Sequence, residues 1–344
     1  MIPGMLFLGY FDLSRRFLCC LQYTQGPMYA QILSAALHLI LCIFWVRSSG
    51  LDVTGLGLAT MIAYLVQWML TDFYGVLEPG IRAAIQWPTR DAWRGWSEYI
   101  AISAGSTVMM LAEGWAFNIL GVLAGLISVT DQAVNAILFH LIAVMIRVPI
   151  GIQSACSAII GEQIGANNVP LAKEYFRVMS VTILILMLVI QGLVYGFRVD
   201  IVRIFTTDAA VRELAEKSVY IVVLSFAPDM IQGSLQGVIR ALGIQNRASY
   251  YALACFYLLG IPFAVLFTFT FHMGVVGLWL GLALGITAVA VIYVALVLYT
   301  DWQEVADEAL KRTAMEQAAL ALHDVASYDS AVSDLHSNAH YINL

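Results

Sequence analysis

Apolar runs long enough to cross a bilayer recur along this chain, separated by short polar breaks, and that rhythm leaves few folds open. A helix needs about 20 mostly apolar residues to span the hydrocarbon core. Nine segments meet that pattern: Ile2–Leu21, Ala30–Val46, Gly55–Tyr74, Ser97–Leu126, Ala133–Ile160, Val178–Phe197, Val219–Val238, Ser249–Phe271 and Val275–Leu298. With 61% hydrophobic and 12% charged residues and a mean hydropathy of +0.82, a soluble domain of 344 residues would lack the polar surface to cover itself. The chain reads as an all-α polytopic membrane protein of about nine helices, with the lipid bilayer as its first partner.

The remaining composition excludes more than it identifies. The net charge of −6 comes largely from acids after Asp301, and no basic patch suggests nucleic acid. Cys19, Cys20, Cys42, Cys156 and Cys255 lie in or beside the apolar runs without metal-ligand spacing, so they read as small packing residues rather than as a disulfide framework or zinc site. No cofactor, metal or obligate protein partner is implied. The sequence holds no H-E-x-x-H, no nucleophile with a plausible base and no phosphate loop, which argues against a membrane enzyme.

An internal repeat organises the runs. Val53-Thr54-Gly55-Leu56-Gly57-Leu58 has a near copy in Val275-Val276-Gly277-Leu278-Trp279-Leu280, 222 residues later (275 − 53). Both are expected in short external connections. The second and third spans then match the eighth and ninth, a shift of six helices, which predicts parallel repeats related by an axis along the membrane normal. The same shift predicts about three further helices before Ile2 in a complete fold, either because upstream sequence is missing or because this is a natural short form. Basic residues favour one side of the spans. Arg15, Arg16, Arg82, Arg90, Arg94, Lys173, Arg177, Arg240, Arg247, Lys311 and Arg312 fall there, against Arg47, Arg198, Arg203, Arg212 and Lys217, so that side and the C-terminal tail are expected in the cytoplasm.

Several polar residues stand inside the runs, where ionisable groups are costly and functional by default. Glu113 is mid-span among Met109, Met110, Leu111 and Trp115; it is either a group that loads and releases the coupling ion or a hydrogen-bonded structural acid. Asp229, Gln232 and Gln236 share one helical face, three and seven residues apart, as a stripe lining a cavity or as a polar contact within the bundle beside a helix start implied by Pro228. His140 and Arg147, seven apart, also share a face. Arg147 requires an anionic partner, and Glu113 is the nearest in sequence. Pro149 with Gly151 predicts a kink there that either gates or shapes packing. Trp115 and Phe117 suit stacking on a solute or packing. Trp87, Arg90, Trp93, Arg94 and Trp96 read as an interfacial linker.

The most specific text is Pro149-Ile150-Gly151-Ile152-Gln153-Ser154-Ala155-Cys156-Ser157, followed by Gly161-Glu162-Gln163-Ile164-Gly165-Ala166-Asn167-Asn168 and Ala172-Lys173. It resembles the eighth helix of the multidrug and toxic compound extrusion (MATE) transporter family. Glu113-Gly114-Trp115-Ala116-Phe117-Asn118 resembles that family's E-W-W-A-F/Y-E, with Gly114 and Asn118 as departures. Asp229-Met230-Ile231-Gln232, Gly237 to Gly243, Gly260-Ile261-Pro262 and Gly277-Leu278-Trp279 match further family text in order. The resemblance implies a MATE-like two-bundle fold with an incomplete N-terminal bundle. Residues 1–75 would form the remainder of that bundle, 76–96 a cytoplasmic linker, 97–300 a complete six-helix bundle and 301–344 an acidic cytoplasmic tail. It also implies a secondary antiporter, not an enzyme, exporting organic cations or xenobiotic-like solutes against protons or sodium across a plasma or vacuolar-type membrane. On the physical reading of the residues, Glu113 and Asp229 would couple the cation, Trp115, Phe117, Asn118, Gln232 and Gln236 would line the substrate cavity, and His140, Arg147 and Pro149 would act as charge partner or gate. The alternative is a nontransporting remnant or a fragment that depends on a partner.

Overall fold

The computed structural model describes residues 2–48, 52–82 and 96–315. Among them there are helices and no strands, in two compact units, residues 1–96 and 97–344. Trp87, Arg90, Trp93 and Arg94 of the expected linker, and the tail from residue 316 onward, lie outside the described residues.

The first unit is built on α3 (Asp52–Leu77), which packs against both α1 (Ile2–Cys20) and α2 (Gln25–Ser48), with a short α4 (Pro79–Arg82) after it. Small and polar residues let the helices approach: the Ser34 hydroxyl donates to the Ala63 carbonyl at 2.7 Å, joining α2 to α3. Phe7 and Tyr10 of α1 stack on Trp68, with ring centroids 5.9 and 5.1 Å away. Helix α1 departs from expectation. It is helical, but the described residues hold eight helices long and apolar enough to cross a membrane, and α1 is not among them. Asp12 explains the difference, because it bridges Arg15 and Arg16 at 2.5 and 2.7 Å and puts three charges into 19 residues.

In the second unit α10 (Ala209–Ala241) is the central post. It packs against α6 (Val129–Met145), α7 (Arg147–Gly165), α8 (Val169–Gly196) and α13 (Gly274–Tyr299), and its 33 residues reach about 50 Å at 1.5 Å per residue. Phe226 and Met230 of α10, Leu138 of α6, Ile160 of α7 and Trp279 of α13 close a common core. Helix α5 (Trp96–Gly125) contributes Met109, Ala112, Ala116 and Leu120 to it. The short α9 (Arg198–Phe205) follows α8, and residues 302–315 form a further helix seated by Trp302, whose Nε1 donates to the Val297 carbonyl. Pro228 lies inside α10 rather than at a helix start; one missing backbone donor is outweighed by the packed turns on either side.

Helix ends follow from local sequence. The Ile164–Asn168 text closes α7 with two backbone bonds, Asn168 N–H to Gln163 and Asn167 N–H to Ile164, while Asn167 takes a left-handed φ of 55°. The Asn168 side chain then caps α8, with Pro170 in its first turn. Arg240-Ala241-Leu242-Gly243-Ile244 ends α10 the same way, with Gly243 at φ 69°.

Where two helices touch backbone to backbone, glycine is spaced to allow it. Gly277, Gly281 and Gly285 of α13 face the helix running from α11 (Gln245–Ala254) through α12 (Ile261–Val265) to residue 270. A Cβ added at Gly277 would lie 2.8 Å from the Phe267 carbonyl carbon, and one at Gly285 would lie 2.9 Å from Gly260 Cα. That partner helix widens into π turns over Cys255–Gly260 and Leu266–Thr270, on either side of Pro262, which has no N–H for the α ladder. Gly55 and Gly277 are thus not in the connections expected of them: each is the fourth residue of its helix, α3 and α13. In α13 the reason is the close approach rather than a turn.

The kink expected at Pro149 falls earlier. The helix breaks at Ile146, between α6 and α7. The missing N–H and the ring of a proline act on the turn before it, so Pro149 sits intact within α7 while the joint opens three residues upstream.

Candidate functional site

The stripe on α10 is buried: Asp229 and Gln232 are each 1% exposed and Gln236 5%. Because α10 is wrapped by four neighbours, this face points into protein. It also carries a connected hydrogen-bond chain. Gln232 Nε2 donates to Asp229 Oδ1 at 3.1 Å. Gln236 Nε2 donates to Gln232 Oε1 at 3.1 Å and to Glu113 Oε2 of α5 at 3.1 Å. Gln153 Nε2 of α7 donates to Gln236 Oε1 at 2.8 Å.

The bonds have a direction. Donors run from Gln153 through Gln236 and Gln232 toward two carboxylates, so three amide dipoles are aligned with their positive ends toward acid. Glu113, half-buried, and Asp229 belong to one network spanning α5, α7 and α10. Asp229 Oδ2 is buried and has no hydrogen-bond partner among the described residues. A carboxylate oxygen left so in an apolar helix bundle is costly unless a proton or cation joins it. The hydroxyls of Ser234 on α10 and Tyr293 on α13 are also buried without a hydrogen-bond partner. Among the described residues no group of three or more His, Cys, Asp and Glu side chains could hold a metal ion.

The other residues singled out in the sequence lie apart from this chain of bonds. Trp115 is 59% exposed, and exposed Asn118 donates to the Gly114 carbonyl of its own helix at 2.8 Å. Phe117 is buried against Phe139 and Trp279, with centroids 6.1 and 6.0 Å away. The expected ion pair of Arg147 with Glu113 is absent among the described residues: Glu113 turns to Gln236, and Arg147 sits exposed at the start of α7. Helix α6 ends before it, so the break at Ile146 sets Arg147 on a separate helix from His140. His140 stacks on Phe205 of α9, centroids 6.4 Å apart and planes within 7°. Pro149 packs against Gly233 of α10, where an added Cβ would be 3.3 Å from the Pro149 ring.

Two participants were missed in the sequence. Gln153 is quoted there only as part of a motif; an amide in an apolar run four residues past a helix-breaking proline was the available signal. Asn135 of α6, whose Oδ1 accepts from Trp279 Nε1 at 3.0 Å, fixes the ring that Phe117 packs on.

The MatE family model matches residues 106–266, the stretch that contains Glu113, Gln153, Asp229, Gln232 and Gln236. Protein DETOXIFICATION 16 of Arabidopsis thaliana is 28% identical over 340 residues, covering 96% of this chain and 68% of that protein. Protein DETOXIFICATION 17 of the same plant is 26% identical, covering 91% of this chain and 66% of that protein. The crystal structure of the eukaryotic MATE transporter AtDTX14 superposes with a TM-score of 0.86 at 24% identity, over 90% of this chain and 70% of that one. The chain is similar to the MATE family in sequence and shares its fold. Multidrug and toxin extrusion protein 2 of Mus musculus is 29% identical over 232 residues. The chain spans 68% and 66% of the two plant relatives and 40% of the mouse protein. The eight apolar helices among the described residues and the relatives make it an integral membrane protein, and the superposition gives it the MATE fold.

Proposed function

We propose that this protein works as a secondary antiporter that exports organic solutes, organic cations among them, in exchange for protons or sodium ions. The observation that carries the reading is the chain Glu113–Gln236–Gln232–Asp229, buried from Gln236 to Asp229, in which amide donors bridge two carboxylates and one oxygen of Asp229 is left for an incoming cation. Loading that oxygen relieves the cost of a bare charge among apolar helices, and unloading restores it. A group whose occupancy alters the energy of one arrangement of the helices biases an alternating-access cycle by that difference. The names of its relatives, detoxification and multidrug and toxin extrusion, agree with a solute-exporting role. In this reading the substrate enters beside Trp115, Phe117 and Asn118, the protein resides in a plasma or vacuolar-type membrane, and its tail faces the cytoplasm.

The test is flux in proteoliposomes holding the full chain, with tetraethylammonium as the probe and an imposed pH or sodium gradient. Gradient-driven flux is expected, and Glu113→Gln and Asp229→Asn are each expected to remove most of it while expression and unfolding temperature hold. Normal flux by Glu113→Gln under both gradients would overturn the coupling role.

A further inference from the structure

Arg147 is the middle residue of the 37-residue apolar stretch Val129–Gly165, 18 positions from each end (147 − 129 and 165 − 147). At 1.5 Å per residue that places it about 27 Å of helix from either terminus. A guanidinium cannot be discharged at any accessible pH, and in a membrane-spanning segment it requires an anion. The described residues of the second unit do not provide one. Arg147 forms no ion pair among the described residues, Glu113 is taken up by Gln236, and Asp200, the acid of nearby α9, pairs with Arg203 at 3.5 Å.

The surroundings are shaped for something larger than a side chain. A cavity of about 570 Å³ is lined by His140, Ala143, Val144, Arg147 and Phe205. It shares His140, Val144 and Phe205 with a second cavity of about 390 Å³ that continues between α6, α8 and α9 over Met145, Ile190 and Leu193. The result is one crevice, greasy along its length, with an arginine and a histidine at one end. The flat wall made by the His140–Phe205 stack offers an aromatic surface to a planar or chain-like guest. Volumes of this order suit a drug-sized molecule.

We infer that this crevice binds an amphiphilic organic anion, its carboxylate or sulfonate on Arg147 and its hydrocarbon part between α6, α8 and α9. A free solute is favoured over a phospholipid because the two joined cavities, about 570 and 390 Å³, have the volume of a drug-sized molecule. The site is separate from the Glu113 network and holds whether or not that network couples transport.

The experiment is equilibrium binding of 11-(dansylamino)undecanoic acid and of its uncharged methyl ester to the full chain in phosphatidylcholine nanodiscs, corrected against empty discs. The acid is expected to bind about tenfold or more tightly than the ester, as a desolvated guanidinium–carboxylate contact implies. Arg147→Gln should bring the two affinities together and Arg147→Lys should restore most of the gap. Val144→Trp, which fills the crevice and keeps the charge, should weaken both probes. Equal affinity of acid and ester for the unaltered chain, or a preference that survives Arg147→Gln, overturns the inference. Should Arg147→Gln fail to fold, undiminished binding by Val144→Trp overturns it instead. Loss of the acid's preference once phosphatidylglycerol is added to the discs would assign the site to a lipid headgroup and reject the solute.

Discussion

Gln236 on α10 donates to Glu113 on α5 at 3.1 Å, across 123 residues of chain, and is itself held by Gln153 at 2.8 Å. One amide therefore fixes the distance between an acid on one helix and a donor on another. Gln236→Leu would leave the Glu113 carboxylate and the Gln153 amide without that partner. We expect a loss of at least about 2 kcal/mol of stability, because stranding buried polar groups forfeits their solvation. Thermal unfolding followed by maleimide-dye reaction of buried Cys156 and Cys255, in a background with Cys19, Cys20 and Cys42 changed to serine, measures it.

Gly281→Ala should cost about 1–3 kcal/mol, since its methyl would overlap the backbone of Ala264, which cannot yield as a flexible side chain would. Gly192→Ala in α8 is the control. No atom lies within 4 Å of its Cβ position, so helix propensity alone predicts a gain of up to about 1 kcal/mol. Equal effects at both positions would remove the close-packing account of α13.

Trp279→Phe should destabilise by about 1–3 kcal/mol through the buried Asn135 oxygen it strands. Adding Asn135→Leu should recover part of that loss. The same unfolding assay reads both variants, and a double variant no better than the single one would count against the hydrogen bond as the cause.

Pro149→Ala should straighten the joint at Ile146. Spin labels at Gln132 and Gln163, 31 residues apart in sequence, would approach the separation of about 46 Å that a continuous helix gives, where the unaltered chain should be shorter. An unchanged distance distribution would mean that packing, not the proline, holds the bend.

Much of this arrangement could be read in the sequence because bilayer crossing leaves one option for a long apolar run. The stripe Asp229, Gln232, Gln236 follows from helical spacing alone, and so does its need for a protein-facing position. The Ile164–Asn168 turn is legible too, since asparagine tolerates the left-handed residue and caps the next helix. Other features depend on partners far away in the chain. Gly277 was ambiguous because glycine serves both turns and close approach, and only the backbone of Phe267 and Thr268 across the seam decides which. Arg147 was matched to Glu113 by proximity in sequence, yet Gln236, more than a hundred residues on, wins that acid. The joint at Ile146 eluded the sequence since a proline's effect appears a turn before the proline itself.

The glycine seam along α13 has one more implication. Two helices that touch through bare backbone have no layer of side chains between them to slide or re-rotamerise, so the hairpin from Gln245 to Tyr299 behaves as a single lever. Its outer end is tied down as well: the Asp131 carboxylate of α6 accepts from the Val275 backbone N–H at 2.9 Å. A lever pinned at that corner cannot shear along its own length; it can swing only by carrying the start of α6 with it, and α6 is the helix that joins α7 at Ile146.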